Sequence, residues 1–305
     1  MTITINLSVS HDGIVTRSFA EFDGFEHSTR QVQSGGIALH AEALLAVGGV
    51  AEPCVLLSEA EAPSSRWPSE LLLGVADLTG GAIWFDTRDT GRSAWIDSPY
   101  AMQDLADDVV AVIDSFGAER VHVIGRSMGG QVAQHFALSW RERVRSLTLL
   151  STTPGRREEF GMPQQWLIDK MTDRLFDPAP PDAEGRALWI VEQLEWFSGP
   201  VFEFDREAAL ALAVAEVAEG WRGPNGHGHA VVDAPDVVDQ VGEICAKALV
   251  IHGTADPVYP IEHGQALAEL LGNARLTLIE GLGHELPAAF VPSLLELMAE
   301  GPLAS

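Results

Sequence analysis

Val121-His122-Val123-Ile124-Gly125-Arg126-Ser127-Met128-Gly129-Gly130 is the stretch on which the reading of this chain turns. A short apolar run of strand character meets Gly-x-Ser-x-Gly, and a helix-like segment, Met128–Leu138, starts at once. Strand, tight glycine-flanked serine and helix in that order describe a nucleophile elbow. The glycines answer a steric need, because so sharp a turn brings neighbouring backbone too close for side chains. The serine is thereby lifted to the top of a sheet at a helix N-terminus, where the dipole favours developing negative charge.

Outward from the elbow, short apolar runs alternate with amphipathic segments. Cys54–Leu57 precedes a helix-like Ser69–Leu78, Ala82–Phe85 precedes Tyr100–Phe116, and Leu147–Leu150 follows the elbow helix. Before them, Gln31–Gln33 and Ile37–His40 flank Ser34-Gly35-Gly36 like the arms of a hairpin. This rhythm predicts an α/β fold with a mostly parallel central sheet and helices on both faces. It stops at 153 and resumes with Ala248–Ile251, a helix at Ile261–Leu271, a strand at Leu276–Ile279 and a last helix at Pro287–Ala299. The interval 153–246 holds helix-like stretches, Pro163–Arg174 and Ala187–Trp196, around the break Pro178-Ala179-Pro180-Pro181. The expected organisation is an N-terminal arm over 1–29, with a strand at Thr2–Leu7 and packed on the main body. A core follows over 30–152 and 247–305, with a helical cap over 153–246. A cap there covers the carboxyl edge of the sheet, where open α/β folds bind ligands.

A serine hydroxyl needs a base to take its proton and a third group to orient that base. In this elbow type the order is Ser, then an acid, then His. Asp256, in the loop leaving the resumed strand, follows Ser127 by 129 residues, and His284, leaving the last strand, follows by a further 28. Both are expected at the same sheet edge as Ser127, and Ser151-Thr152-Thr153 offers no competing acid. His252, His122 and His40 lie in strand-like runs and read as packed core residues. His227-Gly228-His229 lacks any accompanying Cys or acidic cluster, so it reads as a flexible hinge of the cap; neither a metal nor another cofactor is expected. The charged loop Asp86–Ser93 reads as a turn fixed by paired charges.

The chain has 305 residues and a formal charge of −25, with 19 basic against 44 acidic side chains. A 46% hydrophobic content suits a globular protein. The charge argues against nucleic acid, whose phosphates need clustered Lys and Arg, and against an anionic membrane surface. No apolar run of about 18 residues is present. Met1–Ser10 lacks the basic and apolar regions of a secretory signal, so a cytoplasmic location is expected. Cys54 and Cys245 are expected to be buried free thiols. A homo-oligomer is left open.

From Arg30 to its end the chain resembles an α/β-hydrolase, and within that superfamily the aclacinomycin methylesterase-like branch. The resemblance rests on Asp86–Ser93, Gly125–Gly130, His252–Pro257 and Gly281-Leu282-Gly283-His284-Glu285-Leu286-Pro287. It implies Ser127 as nucleophile, His284 as base and Asp256 as its orienting acid, acting on an ester of a bulky, polyketide-like molecule. In one place the chain departs from the family, which has His-Gly or Gly-Gly after the strand holding Cys54. Here that loop reads Leu57-Ser58-Glu59-Ala60-Glu61-Ala62-Pro63. An oxyanion hole would take one N–H from Met128 and one from Glu59 or Ala60. Two carboxylates beside it would repel an oxyanion unless they point away or are protonated. The leading expectation is a serine hydrolase cleaving an ester or lactone of a hydrophobic small molecule, with Trp166, Trp189, Trp196 and Trp221 as candidate contacts. The alternative is a redirected enzyme of this fold, a cyclase, lyase or epimerase using Glu59 or Glu61 as acid or base; a non-catalytic binder is the third reading.

Overall fold

The computed structural model of the protein describes residues 6–9, 15–18, 22–48 and 52–303. Two short strands, β1 (Asn6–Val9) and β2 (Val15–Ser18), pair antiparallel as a ribbon of their own. Of the expected strand Thr2–Leu7, residues Thr2–Ile5 lie outside the described residues. Then come β3 (Phe25–Ser34), β4 (Ile37–Ala46), β5 (Cys54–Leu57), α1 (Ser69–Thr79), β6 (Gly81–Phe85) and α2 (Met102–Ser115). They are followed by β7 (Val121–Arg126), α3 (Met128–Ser139) and β8 (Val144–Leu150). Four helices intervene: α4 (Gln165–Phe176), α5 (Ala183–Phe197), α6 (Arg206–Ala218) and α7 (Gly226–Val232). The chain closes with β9 (Lys247–Gly253), α8 (Ile261–Leu271), β10 (Ala274–Ile279) and α9 (Val291–Ala299).

The main sheet has the order β10-β9-β8-β7-β5-β6-β4-β3. β4 runs antiparallel to both its neighbours and all other pairs are parallel. The expected hairpin is present, and its two-residue turn explains itself: Gly35 and Gly36 have φ of 55° and 87°, the positive values that a primed turn demands. Its arms are longer than the alternation suggested. β3 starts at Phe25, so the sheet takes in residues 25–29, which the sequence assigned to the arm. β4 is covered on both edges and buried through Leu39–Leu44, which hides any polar alternation.

Along β5 successive side chains serve opposite faces, as a strand's two-residue period requires. Val55 and Leu57 join α2, α3 and α8 in one apolar layer with Val109, Val112, Phe136 and Leu267. Cys54 and Leu56 join α1 and α9 in the other, with Leu71, Leu72, Leu294 and Met298. The helices between β8 and β9 carry their own small core of Ala187, Ile190, Val191, Leu194, Ala213 and Trp221. α5 and α6 start where aspartates accept a first-turn N–H: Asp182 from Gly185 and Asp205 from Ala208. One residue assignment needs correction. Cys54 is a buried free thiol as expected, but Cys245 is exposed, because it lies in the connection before β9 rather than in the strand. Among the described residues, no helix is long and apolar enough to cross a membrane.

Candidate active site

β7 ends at Arg126 and α3 starts at Met128, leaving Ser127 alone at the bend with φ 52° and ψ −119°. Few non-glycine residues hold a positive φ, and here the surroundings enforce it. Ser127 N–H donates to the Leu150 carbonyl, and the Thr152 hydroxyl donates to the Ser127 carbonyl at 2.6 Å. A Cβ at Gly125 would run into the Gly129 carbonyl, and one at Gly129 into the Leu57 carbonyl. At Gly130 it would meet Thr152. Each glycine in the motif is therefore needed by a particular neighbour. The same crowding presses the turn after β5 against the start of α3.

Three strand ends deliver one hydrogen-bonded chain of side chains. Ser127 Oγ lies 2.9 Å from His284 Nε2, and His284 Nδ1 lies 2.8 Å from Asp256 Oδ2. The other oxygen of Asp256 accepts from the N–H groups of Val258 and Tyr259, which fixes the carboxylate. With Nδ1–H donating to Asp256, Nε2 is left as an acceptor for the serine proton. Burial alone would raise the Asp256 carboxyl, but the neighbouring His284 and then His252 hold it below the usual carboxylate range. The His284 loop is hung from α5, whose Phe197 carbonyl accepts from the N–H groups of His284 and Glu285. The rings of Phe197 and Tyr259 stand edge-on to the imidazole at 5.5 and 5.7 Å.

The loop after β5 holds the carboxylate that sequence reasoning found troublesome. Glu59 is buried, yet two guanidiniums face it: Arg126 Nη2 at 3.3 Å and Arg66 Nη1 at 3.4 Å. Burial pushes its carboxyl up, but Arg126 first, Arg66 next and its own N–H hold it below the ordinary range. Arg66 also makes a two-pronged pair with Glu216 of α6, at 2.6 and 2.9 Å. Arg126 also donates to Glu285 at 2.9 Å. Glu61 behaves in the opposite way, its carboxyl raised by burial. Its backbone, at φ 65°, gives its N–H to His227 Nδ1.

A protein-family model described as the alpha/beta hydrolase fold matches residues 82–287. The chain belongs to the alpha/beta hydrolase fold family. It is similar to the rhodomycin D methylesterase DnrP of Streptomyces peucetius, at 28% identity over 86% of this chain and 93% of that enzyme. The bifunctional esterase/perhydrolase DCH of Acinetobacter calcoaceticus is also 28% identical, over 73% of this chain and 82% of its own. Among solved structures, an esterase from Exiguobacterium antarcticum superposes with a TM-score of 0.74. That match is at 21% identity and covers 91% of this chain and all of that one, which speaks to the fold alone.

Within this hydrolase fold, Ser127, Asp256 and His284 come together, as the sequence led one to expect. Met128 sits at the first position of α3, where a backbone N–H has no acceptor within its own helix. Glu59 and Ala60 directly follow Leu57 and Ser58, whose carbonyls crowd Gly129. The tryptophans are distributed otherwise. Trp189 and Trp221 pack on each other at 5.4 Å in the core of the helices between β8 and β9, since those helices must bury their own apolar faces. Trp196 lies under Lys170 and Arg174, and Trp166 is 41% exposed. The aromatic rings beside His284 are those of Phe197 and Tyr259 instead.

His227 is not a hinge. It is fully buried, accepts from the Glu61 N–H, and its Nε2 faces the Thr87 hydroxyl at 3.3 Å. Burial lowers its pKa to about 4, so it stays neutral and acts as a pin. His252 and His40 are packed as expected, and His122, half-buried, faces Ser146 at 2.7 Å. The loop 86–93 is more than a paired turn. Arg88 forks onto buried Asp108, while Asp89 accepts from Tyr100 and from the Gly226 N–H that opens α7. The roles of Arg126 and Arg66 escaped the sequence reading. The signal for them was the unusual Glu59 itself, since a buried carboxylate calls for a partner.

Proposed function

We propose that this chain is a serine esterase that cleaves a carboxylic ester or lactone of a bulky hydrophobic, polyketide-like small molecule through an acyl-enzyme. The observation that carries this reading is the hydrogen-bonded sequence Ser127–His284–Asp256 on the strained bend. Ser127 Oγ attacks the carbonyl carbon while its proton passes to His284 Nε2. Asp256 keeps the imidazole in the right tautomer and offsets its charge. The oxyanion is held by the Met128 N–H and a second N–H from Glu59 or Ala60. His284 then gives the proton to the departing alkoxide oxygen. Water repeats the sequence on the acyl-enzyme, releasing the acid and restoring Ser127.

The helices between β8 and β9 supply the cap over 153–246. Phe197 and Tyr259, flanking His284, are better candidates for substrate contact than Trp189 and Trp221. The bulky substrate is suggested by the likeness to rhodomycin D methylesterases. A redirected reaction driven by Glu59 finds little support, because paired guanidiniums hold that carboxyl ionised and engaged.

The test is intact-mass spectrometry after treatment with a fluorophosphonate, followed by hydrolysis assays on aromatic methyl esters and short acyl esters. One adduct on the parent, none on Ser127→Ala, and turnover of the methyl esters by the parent alone are expected. A Ser127→Ala protein that still turns over ester as fast as the parent sinks the reading.

A further inference from the structure

Where the family that this chain resembles has His-Gly or Gly-Gly after β5, this chain carries Glu59 in the turn that is a candidate for an oxyanion donor. Its side chain is only 11% exposed and cannot reach bulk water to shed its charge. Its own N–H, one of the two candidate second donors to an oxyanion, helps to hold its carboxyl below the ordinary range. Uncompensated, it is a built-in anion competing with the reacting oxygen. Beyond the two guanidiniums, the nearby His284 also favours its ionised form.

We propose that Arg126 is a positioning residue of the esterase site, which offsets and restrains the Glu59 carboxylate so that a substrate oxyanion can form beside it. The proposal rests on the esterase reading above and deepens it. Arg126 is the variable residue of the Gly-x-Ser-x-Gly motif, directly before Ser127, and its side chain is 4% exposed. One nitrogen, Nη2, reaches Glu59 on the turn after β5 at 3.3 Å and Glu285, next to His284, at 2.9 Å. A single guanidinium thus ties together the three loops that hold nucleophile, base and oxyanion donors. Its Nε is buried without a hydrogen-bond partner among the described residues, so the carboxylates are what justify its charge there.

The charged groups facing this centre are few and can be named. Glu59 meets Arg126 of β7, Arg66 of the turn before α1 and His284 after β10; behind them stand Glu216 of α6 and Glu285. Arg66 is committed to Glu216 in a two-pronged pair, so it does not replace Arg126 when that residue is lost. Glu285 is 21% exposed and can turn to water. Glu59 cannot. The damage from losing Arg126 therefore passes mainly through Glu59, and removing the Glu59 charge should cancel it.

The experiment is a four-cornered comparison of the parent, Arg126→Gln, Glu59→Gln and the double variant in the full chain. Fluorophosphonate labelling rate and kcat/KM on an aromatic methyl ester are followed from pH 5 to 9, with Ser127→Ala as control. Arg126→Gln is expected to lower both rates by roughly tenfold to a hundredfold, the scale of a displaced or opposed oxyanion group. Its loss should deepen as pH rises through the range where a Glu59 left with Arg66 alone ionises. In the Glu59→Gln background the same Arg126→Gln change is expected to cost less than about threefold. A merely structural arginine would cost the same in both backgrounds and leave the pH profile unmoved. If Arg126→Gln alone yields no folded protein, the double variant against Glu59→Gln still decides. A double variant tenfold or more below Glu59→Gln, or one that does not fold, overturns the proposal, as does an Arg126→Gln rate within twofold of the parent. Failure of the esterase reading shows separately, as label or turnover that persists in Ser127→Ala.

Discussion

The elbow and the seam between the sheet and the helices above it are built from different materials. At the elbow, Gly125 and Gly129 stand where an added methyl would strike backbone carbonyls, and Gly130 where it would strike Thr152. Position there is set by hard repulsion. At the seam, beside apolar contacts such as that of Ala230 with the core, polar pairs set the position: Arg66 to Glu216, His227 to Glu61 and Thr87, and Asp89 to the start of α7. Repulsion does not depend on pH or salt, whereas paired charges do. The part of the molecule that fixes the serine is thus insulated from solution conditions, and the part that covers it is not.

The contrast can be broken hardest at the elbow. Gly129→Ala puts a methyl against the Leu57 carbonyl with no side chain free to give way. Urea unfolding is expected to show a loss of about 5 kcal/mol, or no folded protein at all. Next comes the seam's buried pair. Arg66→Met leaves Glu216, whose side chain is fully buried, without its partner and should cost about 3 kcal/mol or more. Adding Glu216→Leu should recover most of that loss, whereas the elbow offers no such second-site repair. A double variant no more stable than Arg66→Met would show that the pair's charges are not what matters.

The third test uses pH. Burial first, and Asp86 next, raise the Glu219 carboxyl to about 7. The folded state therefore keeps a proton that the unfolded chain releases near its ordinary 4.5. That contribution is whole below pH 4.5 and disappears as the pH climbs to 7. Glu219→Gln, which imitates the protonated form, should raise stability at pH 8 by about 1–2 kcal/mol, with the gain shrinking toward pH 5. Buried His227 has the opposite sign. Its pKa of about 4 means that its contribution is whole above 6.5 and is lost as pH falls toward 4. A thermal-melt series in which Glu219→Gln gives the same gain at pH 5 and pH 8 would contradict this account. The smallest effect belongs to the exposed pair of Arg206 and Glu195, where Arg206→Ala should change stability by less than about 0.5 kcal/mol.

The sheet and its site were legible because each rests on a local rule. Buried parallel strands read as apolar runs, Ser34-Gly35-Gly36 announces its turn, and the elbow's glycines announce theirs. Ser127, Asp256 and His284 followed from strand ends that a parallel sheet brings to one edge. What stayed hidden depends on partners far apart in sequence. Nothing near His227 shows that Glu61 and Thr87 will enclose it. Trp189 and Trp221 could not be sorted between a ligand and each other until α5 and α6 were seen to pack. Arg126 read as a variable position in a motif until Glu59 and Glu285 stood on either side of it. Cys245 was misplaced for a simpler reason, since apolar neighbours in sequence do not bury a residue that falls just before a strand.

The Phe197 carbonyl, which takes the N–H groups of both His284 and Glu285, has a mechanical consequence. A Cβ at Gly283 would strike that carbonyl, so the two chains meet with no slack. The last turn of α5 and the histidine loop are therefore one rigid part. A hinge that swung α5 away would carry the imidazole off with it and disarm the serine. On the esterase reading, the end of α5 therefore stays put while substrate enters, because its movement would take the base away from Ser127.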